Sequence, residues 1–296
     1  MRTFVERHRK QNKKMEKTLL TEDQRQELRR RYNPDGSRLR KTQMELLDML
    51  KVLAKICDDN NIQWWLSSGT LLGAIRHQGF IPWDDDVDIV MFKSEYKKLE
   101  KVLSNLNSNT YVLHSMKTDV EYVRRFAKFR KREGREFSRD RRRDNYKWAG
   151  TYIDIFVIEK TSYAAAFLSG GIYKNLVHLT AYLKTKWLRC TLTRIIEGVC
   201  LGLINPILHL IGLINPKGEY HYVLGMGWPW STYFKKDILP LSKATFEGVE
   251  FPVPHDADSY LRGVYGEWWN LPSEAVIKRS IHRMEYIEEI FGKTGK

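Results

Sequence analysis

The chain has 296 residues, 42% hydrophobic and 29% charged, and its 50 Lys and Arg outnumber its 36 Asp and Glu for a formal net charge of +14. That length and apolar content exclude a disordered chain and allow one large domain or two ordinary ones. The basic excess favours an anionic partner (nucleic acid, an acidic membrane surface or a phosphorylated substrate), while three scattered cysteines, Cys57, Cys190 and Cys200, exclude a disulfide framework and a structural zinc site and fit a reducing cytoplasm.

Residues 1–37 are highly charged, with Arg2, Arg7, Arg9, Lys10, Lys13 and Lys14 near the start and no apolar core behind them, so no secretory signal is expected. They read as a mobile arm plus a short helix, closed by the turn Asn33-Pro34-Asp35-Gly36. From Leu39 to Asn60, Leu46, Leu47, Leu50, Leu53, Ala54 and Cys57 recur at helical spacing. Ile62 to Leu66 reads as a short buried strand, and Leu71 to His77 as a short helix after the Ser67-Ser68-Gly69-Thr70 loop. Val87 to Phe92 is a second strand, entered through acids. Ser94 is placed to cap the next helix, through Leu103, with Tyr96, Leu99, Val102 and Leu103 inward. Residues 111–160 read as β-rich, with strands at Phe126–Arg130 and Tyr152–Ile158 around a basic loop holding Arg139, Arg141, Arg142 and Arg143.

Residues 163–215 are helical and apolar. Ile195 to Ile214 is about long enough to cross a bilayer. Glu197, Asn205, Pro206 and His209 interrupt it, and Asn205-Pro206 is expected to break the helix, so a buried or surface-lying helical pair is preferred to a span. The segment from Pro229 is irregular and closes in a helix around Ile281 to Ile290. The division expected is an arm (1–37), a catalytic core (38–160), an apolar helical insertion (161–216) and a C-terminal segment packed on the core (217–296).

The chemistry concentrates in Trp83-Asp84-Asp85-Asp86-Val87-Asp88. Asp86 and Asp88 stand two apart at a strand start, so their side chains share a face and their carboxylates converge. Such a pair repels unless a cation lies between them, and Mg²⁺ (or Mn²⁺) takes carboxylates together with substrate phosphate oxygens. Asp154, amid strong strand formers, is the third carboxylate if its strand neighbours that of Asp88. Ser68, Gly69 and Thr70, at a helix start, offer N–H groups to a phosphate. Each part has a plainer reading: a solvated acidic turn, an ordinary small-residue turn, a strand-end acid. The order of the three, running straight into an apolar strand, favours metal-assisted displacement at phosphorus.

The run from Ser68-Gly69-Thr70-Leu71-Leu72-Gly73-Ala74 through Gly79-Phe80-Ile81-Pro82-Trp83 to Asp88-Ile89 resembles the signature of the LicD phosphocholine transferase family, which includes the fukutin-type proteins. Gly150 to Phe156, Phe246-Glu247-Gly248-Val249 and Tyr260 to Gly266 extend the resemblance, which covers about Leu39 to Pro272. It implies an α/β (α+β) fold, a nucleotidyltransferase-like mixed sheet of the polymerase-β type flanked by helices. It also implies metal-dependent transfer of phosphocholine or a similar phospho-alcohol from a CDP-linked donor to a hydroxyl of a glycan or lipid-linked glycan, in lipopolysaccharide, teichoic acid or capsule. On that resemblance Ser68 and Gly69 match the phosphate turn, Asp86 and Asp88 the metal pair and Asp154 the third acid. Val157 departs from it, standing where many members have proline.

Arg76 and His77 are candidates to reach the donor diphosphate, or a surface pair. Lys128 and Arg130 share a strand face and either neutralise the transferred phosphoryl group or decorate a solvated edge strand. The Arg139–Arg143 run suggests contact with an anionic membrane, hence a cytoplasmic enzyme at the inner face of the cell membrane. Nucleotidyl transfer to a small molecule and DxD glycosyl transfer are the alternative reactions. No nucleic-acid module is recognisable, and no nucleic-acid partner is expected.

Overall fold

The computed structural model describes residues 19–106, 108–134, 145–180, 182–215, 217–226, 231–281 and 284–291. The basic positions 2–14 and Arg139, Arg141, Arg142 and Arg143 lie outside them, and with them the first 18 residues of the expected arm and the proposed membrane-contacting arginine run.

Two helices lead in. α1 (Glu22–Tyr32) starts in a capping box between Thr21 and Gln24. α2 (Arg38–Asp59) starts where the Ser37 hydroxyl accepts from the Arg40 N–H at 3.0 Å. It buries Leu39, Gln43, Leu46, Leu50, Leu53 and Cys57, a stripe at three- and four-residue spacing broken by one polar side chain. β1 is confined to Trp65–Leu66, shorter than the apolar run suggests, and α3 spans Ser68–His77. β2 (Asp88–Phe92) is followed directly by α4 (Lys93–Asn105). Phe92, not Ser94, holds the N-cap position of α4, and no side chain caps it. Strand and helix abut here, so the helix begins two residues earlier than the serine implies. β3 (Tyr111–His114), β4 (Ala127–Lys131) and β5 (Tyr152–Lys160) complete the sheet core.

The order across the sheet is β1–β2–β5–β4–β3. β2 and β5 are parallel, and the other pairings are antiparallel. β6 (Glu219–Tyr222) pairs with the end of β5 beyond the reach of β4, and β7 (Tyr233–Phe234) pairs with β6. The molecule is therefore α+β, a mixed sheet flanked by helices. β5 lies at its centre, which explains why Ile153, Ile155, Phe156, Val157 and Ile158 are buried on both faces rather than alternating. β4 is interior as well. Lys128 and Arg130 are buried, so the solvated-edge reading of that strand does not hold.

After β5 the chain forms α5 (Tyr163–Thr180) and a long helix of three parts: α6 (Lys186–Val199), a π-turn (Cys200–Ile204) and α7 (Asn205–Gly212). The expected break at Asn205-Pro206 is absent, and Lys186–Gly212 is continuous. Pro206 lacks an N–H and crowds the carbonyl four residues back, and the wider π-turn immediately before it absorbs both defects. By length and composition this is one helix able to cross a membrane. The remaining elements are α8 (Lys235–Ile238), the hairpin β8 (Ser242–Phe246) and β9 (Val249–Val253), α9 (Ala257–Tyr265), α10 (Glu274–Ser280) and α11 (Met284–Phe291). The closing helix expected around Ile281 to Ile290 is α11, and α10 is a further short helix before it.

Candidate active site

The site assembles where the starts of α3 and β2 are stitched together. The Ser67 N–H donates to the Asp88 carbonyl at 3.1 Å, and the Asp88 N–H donates to the Thr70 hydroxyl at 2.8 Å. Ser67, the N-cap of α3, makes no capping bond with its side chain; its hydroxyl instead meets the Tyr260 hydroxyl at 2.9 Å, to which Trp65 Nε1 also donates. Ser68 adopts φ +48°, a left-handed conformation uncommon for serine, and its side chain hydrogen-bonds Asp88. A local cost of this kind is tolerated where the surroundings over-determine the backbone.

The glycines of this run are set by close approach. A Cβ on Gly69 would stand 2.5 Å from Asp84 Oδ2, and one on Gly73 would stand 2.5 Å from the Gly79 carbonyl. The Asp84 carboxylate therefore rests against the first turn of α3, whose leading N–H groups have no partner within the helix. α2 holds the acidic loop from the other side: Gln43 Nε2 donates to the Asp84 carbonyl at 2.8 Å and to that of Ile81 at 3.3 Å.

Parallel pairing sets Asp88 opposite Asp154, and antiparallel pairing sets Asp154 opposite Lys128 and Lys128 opposite His114. Four residues thus form one row across the sheet face. Lys128 Nζ lies 2.5 Å from Asp154 Oδ1 and 3.2 Å from the Tyr152 ring centroid. At the end of the row, His114 Nε2 lies 2.8 Å from Asp119 Oδ2. Burial pushes the His114 imidazole down, against the pull of Asp119.

One carboxylate oxygen from each of Asp84, Asp85 and Asp86 falls within a 4.8 Å cluster. Burial, followed by the charges of Asp86, Asp85 and Asp88, holds the Asp84 carboxyl well above the usual range. Burial, with Asp86 and Asp154, does the same to Asp88, opposed by Lys128 and Ser68. Mutual repulsion in an all-oxygen donor set fits a hard divalent cation such as Mg²⁺ or Mn²⁺.

The structure thus brings Ser68, Gly69, Asp86, Asp88, Asp154 and Lys128 together. It places the Thr70 hydroxyl in the scaffold. Arg76 is buried and donates to the carbonyls of Trp268 at 2.8 Å and Asn270 at 3.0 Å, and its Nε donates to His77 Nε2 at 3.0 Å. Burial lowers Arg76 to about 10 and His77, beside Arg76 and Trp83, to about 3. Neither is a surface residue, and these contacts tie α3 to the C-terminal segment. Arg130 likewise donates to the carbonyls of Trp148 and Gly150. Trp83 is core, edge-on to Tyr32 at 5.2 Å.

Sequence reasoning passed over four contributors. Asp84 stood in the acidic run, in phase with the chosen pair but ahead of the expected strand. Gln43 was the polar interruption of an apolar helix stripe, a readable signal. Tyr260 and Tyr265 lay in a segment that had only the resemblance to mark it; Tyr265 is 43% exposed overall, and burial of its phenol together with the charges of Asp84, Asp88 and Asp86 pushes that group up.

Residues 61–170 match the family described as LicD/FKTN/FKRP, nucleotidyltransferase domain. Over 257 residues the chain is 25% identical to the lipopolysaccharide cholinephosphotransferase LicD of Haemophilus influenzae, covering 80% of this chain and 93% of that protein. It is 44% identical over 50 residues to the mouse ribitol-5-phosphate transferase FKTN, covering 17% of this chain and 11% of that one. It is 32% identical over 57 residues to the human ribitol 5-phosphate transferase FKRP, covering 19% and 12%. Residues 61–170 carry a LicD/FKTN/FKRP-type nucleotidyltransferase domain, and the chain is a phosphotransferase.

Proposed function

We propose that this enzyme moves a phospho-alcohol, phosphocholine or a similar group, from a CDP-linked donor to a hydroxyl of a cell-surface glycan such as lipopolysaccharide. The observation that carries the reading is the opposition of Asp88 and Asp154 on parallel strands, with the Asp84–Asp86 cluster and the α3 N-terminus beside them. The relatives' names support the reaction class, since cholinephosphate and ribitol phosphate transfer both make a phosphodiester.

Asp86 and Asp88, with Asp84 and Asp154 at hand, would hold Mg²⁺ or Mn²⁺, which supplies charge neutralisation on the donor diphosphate. The Ser68-Gly69 turn presents N–H groups to a phosphate oxygen. Lys128, already set against Asp154, adds positive charge where the transferred phosphoryl group becomes more anionic. Asp154 takes the proton of the acceptor hydroxyl. The acceptor oxygen bonds to phosphorus as the bond to the CMP oxygen breaks, and CMP leaves with the electron pair.

Incubation with CDP-choline, CDP-ethanolamine or CDP-ribitol, a glycan acceptor and Mg²⁺ tests this by product. CMP release together with labelled glycan is expected. Pyrophosphate from a nucleoside triphosphate would mean nucleotidylation, and a nucleoside diphosphate from a nucleotide sugar would mean glycosyl transfer.

A further inference from the structure

The helical hairpin of α5 and α6–π–α7 is apolar on two sides: inward it buries Tyr173, Val177, Cys200 and Leu208, and outward it exposes a second apolar set. Its outward side carries Trp187, Ile195, Leu203, Ile207, Leu210 and Ile214, of which Leu203, Ile207 and Leu210 are 63%, 60% and 66% exposed. Its inward side also buries Ser169, Thr180, Thr193 and Glu197. Thr193 Oγ1 donates to Thr180 Oγ1 at 3.2 Å, and Glu197 accepts from Arg194 at 2.8 Å. A helix in water hides its apolar stripe and shows its polar one. A contiguous apolar surface of this kind marks a docking face.

Its charge favours one occupant. Between Thr161 and Gly218 the sequence carries Lys174, Lys184 and Lys186 besides Arg189, Arg194 and Lys217, which pair with Glu121, Glu197 and Glu219, and its single acid, Glu197, is buried. An apolar face with a cationic border suits an anionic lipid surface, where each nearby cation adds attraction. A second copy of the chain would bring the same cations against these.

Tethering along the hairpin argues against a span. Gly212 packs on Thr161 and Ala165 at its base. Midway, the Tyr173 hydroxyl donates to the Val123 carbonyl at 3.1 Å. Near its tip, Arg189 pairs with Glu121 at 2.7 Å. The helices lie along the body of the protein and have one side to offer.

We propose that this hairpin is a monotopic membrane-docking element. It lays its outward apolar side into the interface of an anionic bilayer and brings the Asp88 site to acceptors held there. The inference stands apart from the reaction, because it uses none of the site's residues.

Flotation of the full chain with vesicles of phosphatidylglycerol and phosphatidylcholine tests it, with pure phosphatidylcholine vesicles as the comparison. The wild type is expected to float with the anionic vesicles at least tenfold more than with the neutral ones. A Leu203→Ser, Ile207→Ser, Leu210→Ser variant is expected to lose that binding with an unchanged Tm, and Lys184→Glu with Lys186→Glu to weaken it. Doxyl-labelled anionic lipid should also quench a fluorescence component that Trp187→Phe removes, a reading that needs no triple variant. Absent flotation, equal flotation of the triple variant, no preference for anionic lipid, or a soluble dimer that the triple variant dissociates would each overturn the proposal.

Discussion

Asp88 and Asp154 occupy opposed positions on neighbouring parallel strands, far apart in the chain and side by side in the sheet. Parallel pairing of two strand starts points both carboxylates to one face, where Lys128 and the α3 N-terminus converge. Asp88→Asn or Asp154→Asn should therefore reduce CMP release by about a thousandfold or more, with the far-ultraviolet spectrum unchanged. Either variant retaining a tenth of wild-type turnover would remove the residue from the chemistry.

Gly69→Ala forces a methyl group toward Asp84 Oδ2. Overpacking of this sort costs about 1–3 kcal/mol. Here it also displaces a carboxylate of the acidic cluster, so turnover should fall further than stability does. Paired thermal melts and initial rates report the two separately.

The fold's outline was readable from periodicity. The α2 stripe and the β2 and β5 strands follow from local spacing, which a sequence displays directly. Register was not readable. That Asp154 faces Lys128 and Asp88 at once depends on which strands neighbour each other, a long-range property, and so the edge-strand reading of Lys128 and Arg130 could not be dismissed beforehand. Arg76 and His77 misled for a related reason: their partners, the Trp268 and Asn270 carbonyls and Trp83, come from other parts of the chain. The π-turn before Pro206 likewise has no signature in the residues that form it.

Lys128→Met should cost both activity and stability. It leaves Asp154 beside Asp88 without the cation that now lies 2.5 Å away, and losing one partner of a buried pair costs about 3–5 kcal/mol. Lys128→Arg should not restore activity, because the ammonium is enclosed against the Tyr152 ring at 3.2 Å and a planar guanidinium is a different shape. Recovery of wild-type rates by arginine would show that charge alone matters there.

Glu247 offers a test by pH. It sits at φ +50° in the β8–β9 turn, accepts two bonds from Arg40 at 2.9 and 2.6 Å, and accepts from the Phe80 N–H at 3.1 Å. Burial alone would raise its carboxyl; Arg40 and the Phe80 N–H outweigh burial and hold it below the ordinary range. A depressed folded-state pKa contributes stability that is complete above the unfolded value of about 4.3 and is lost as pH falls through the folded one. Glu247→Gln should cost about 2 kcal/mol at pH 7, and the gap to wild type should close on acidification below about pH 4. A gap independent of pH would mean that the ion pair contributes nothing.

The most direct test of the site is Mn²⁺ binding followed by electron paramagnetic resonance, wild type against Asp88→Asn with Asp154→Asn. An ion held by Asp86 and Asp88 with Asp154 at hand predicts that the wild type binds it and that the double variant binds it at least about tenfold more weakly. Equal binding by the two proteins, or none by the wild type in the presence of a CDP-linked donor, would contradict it.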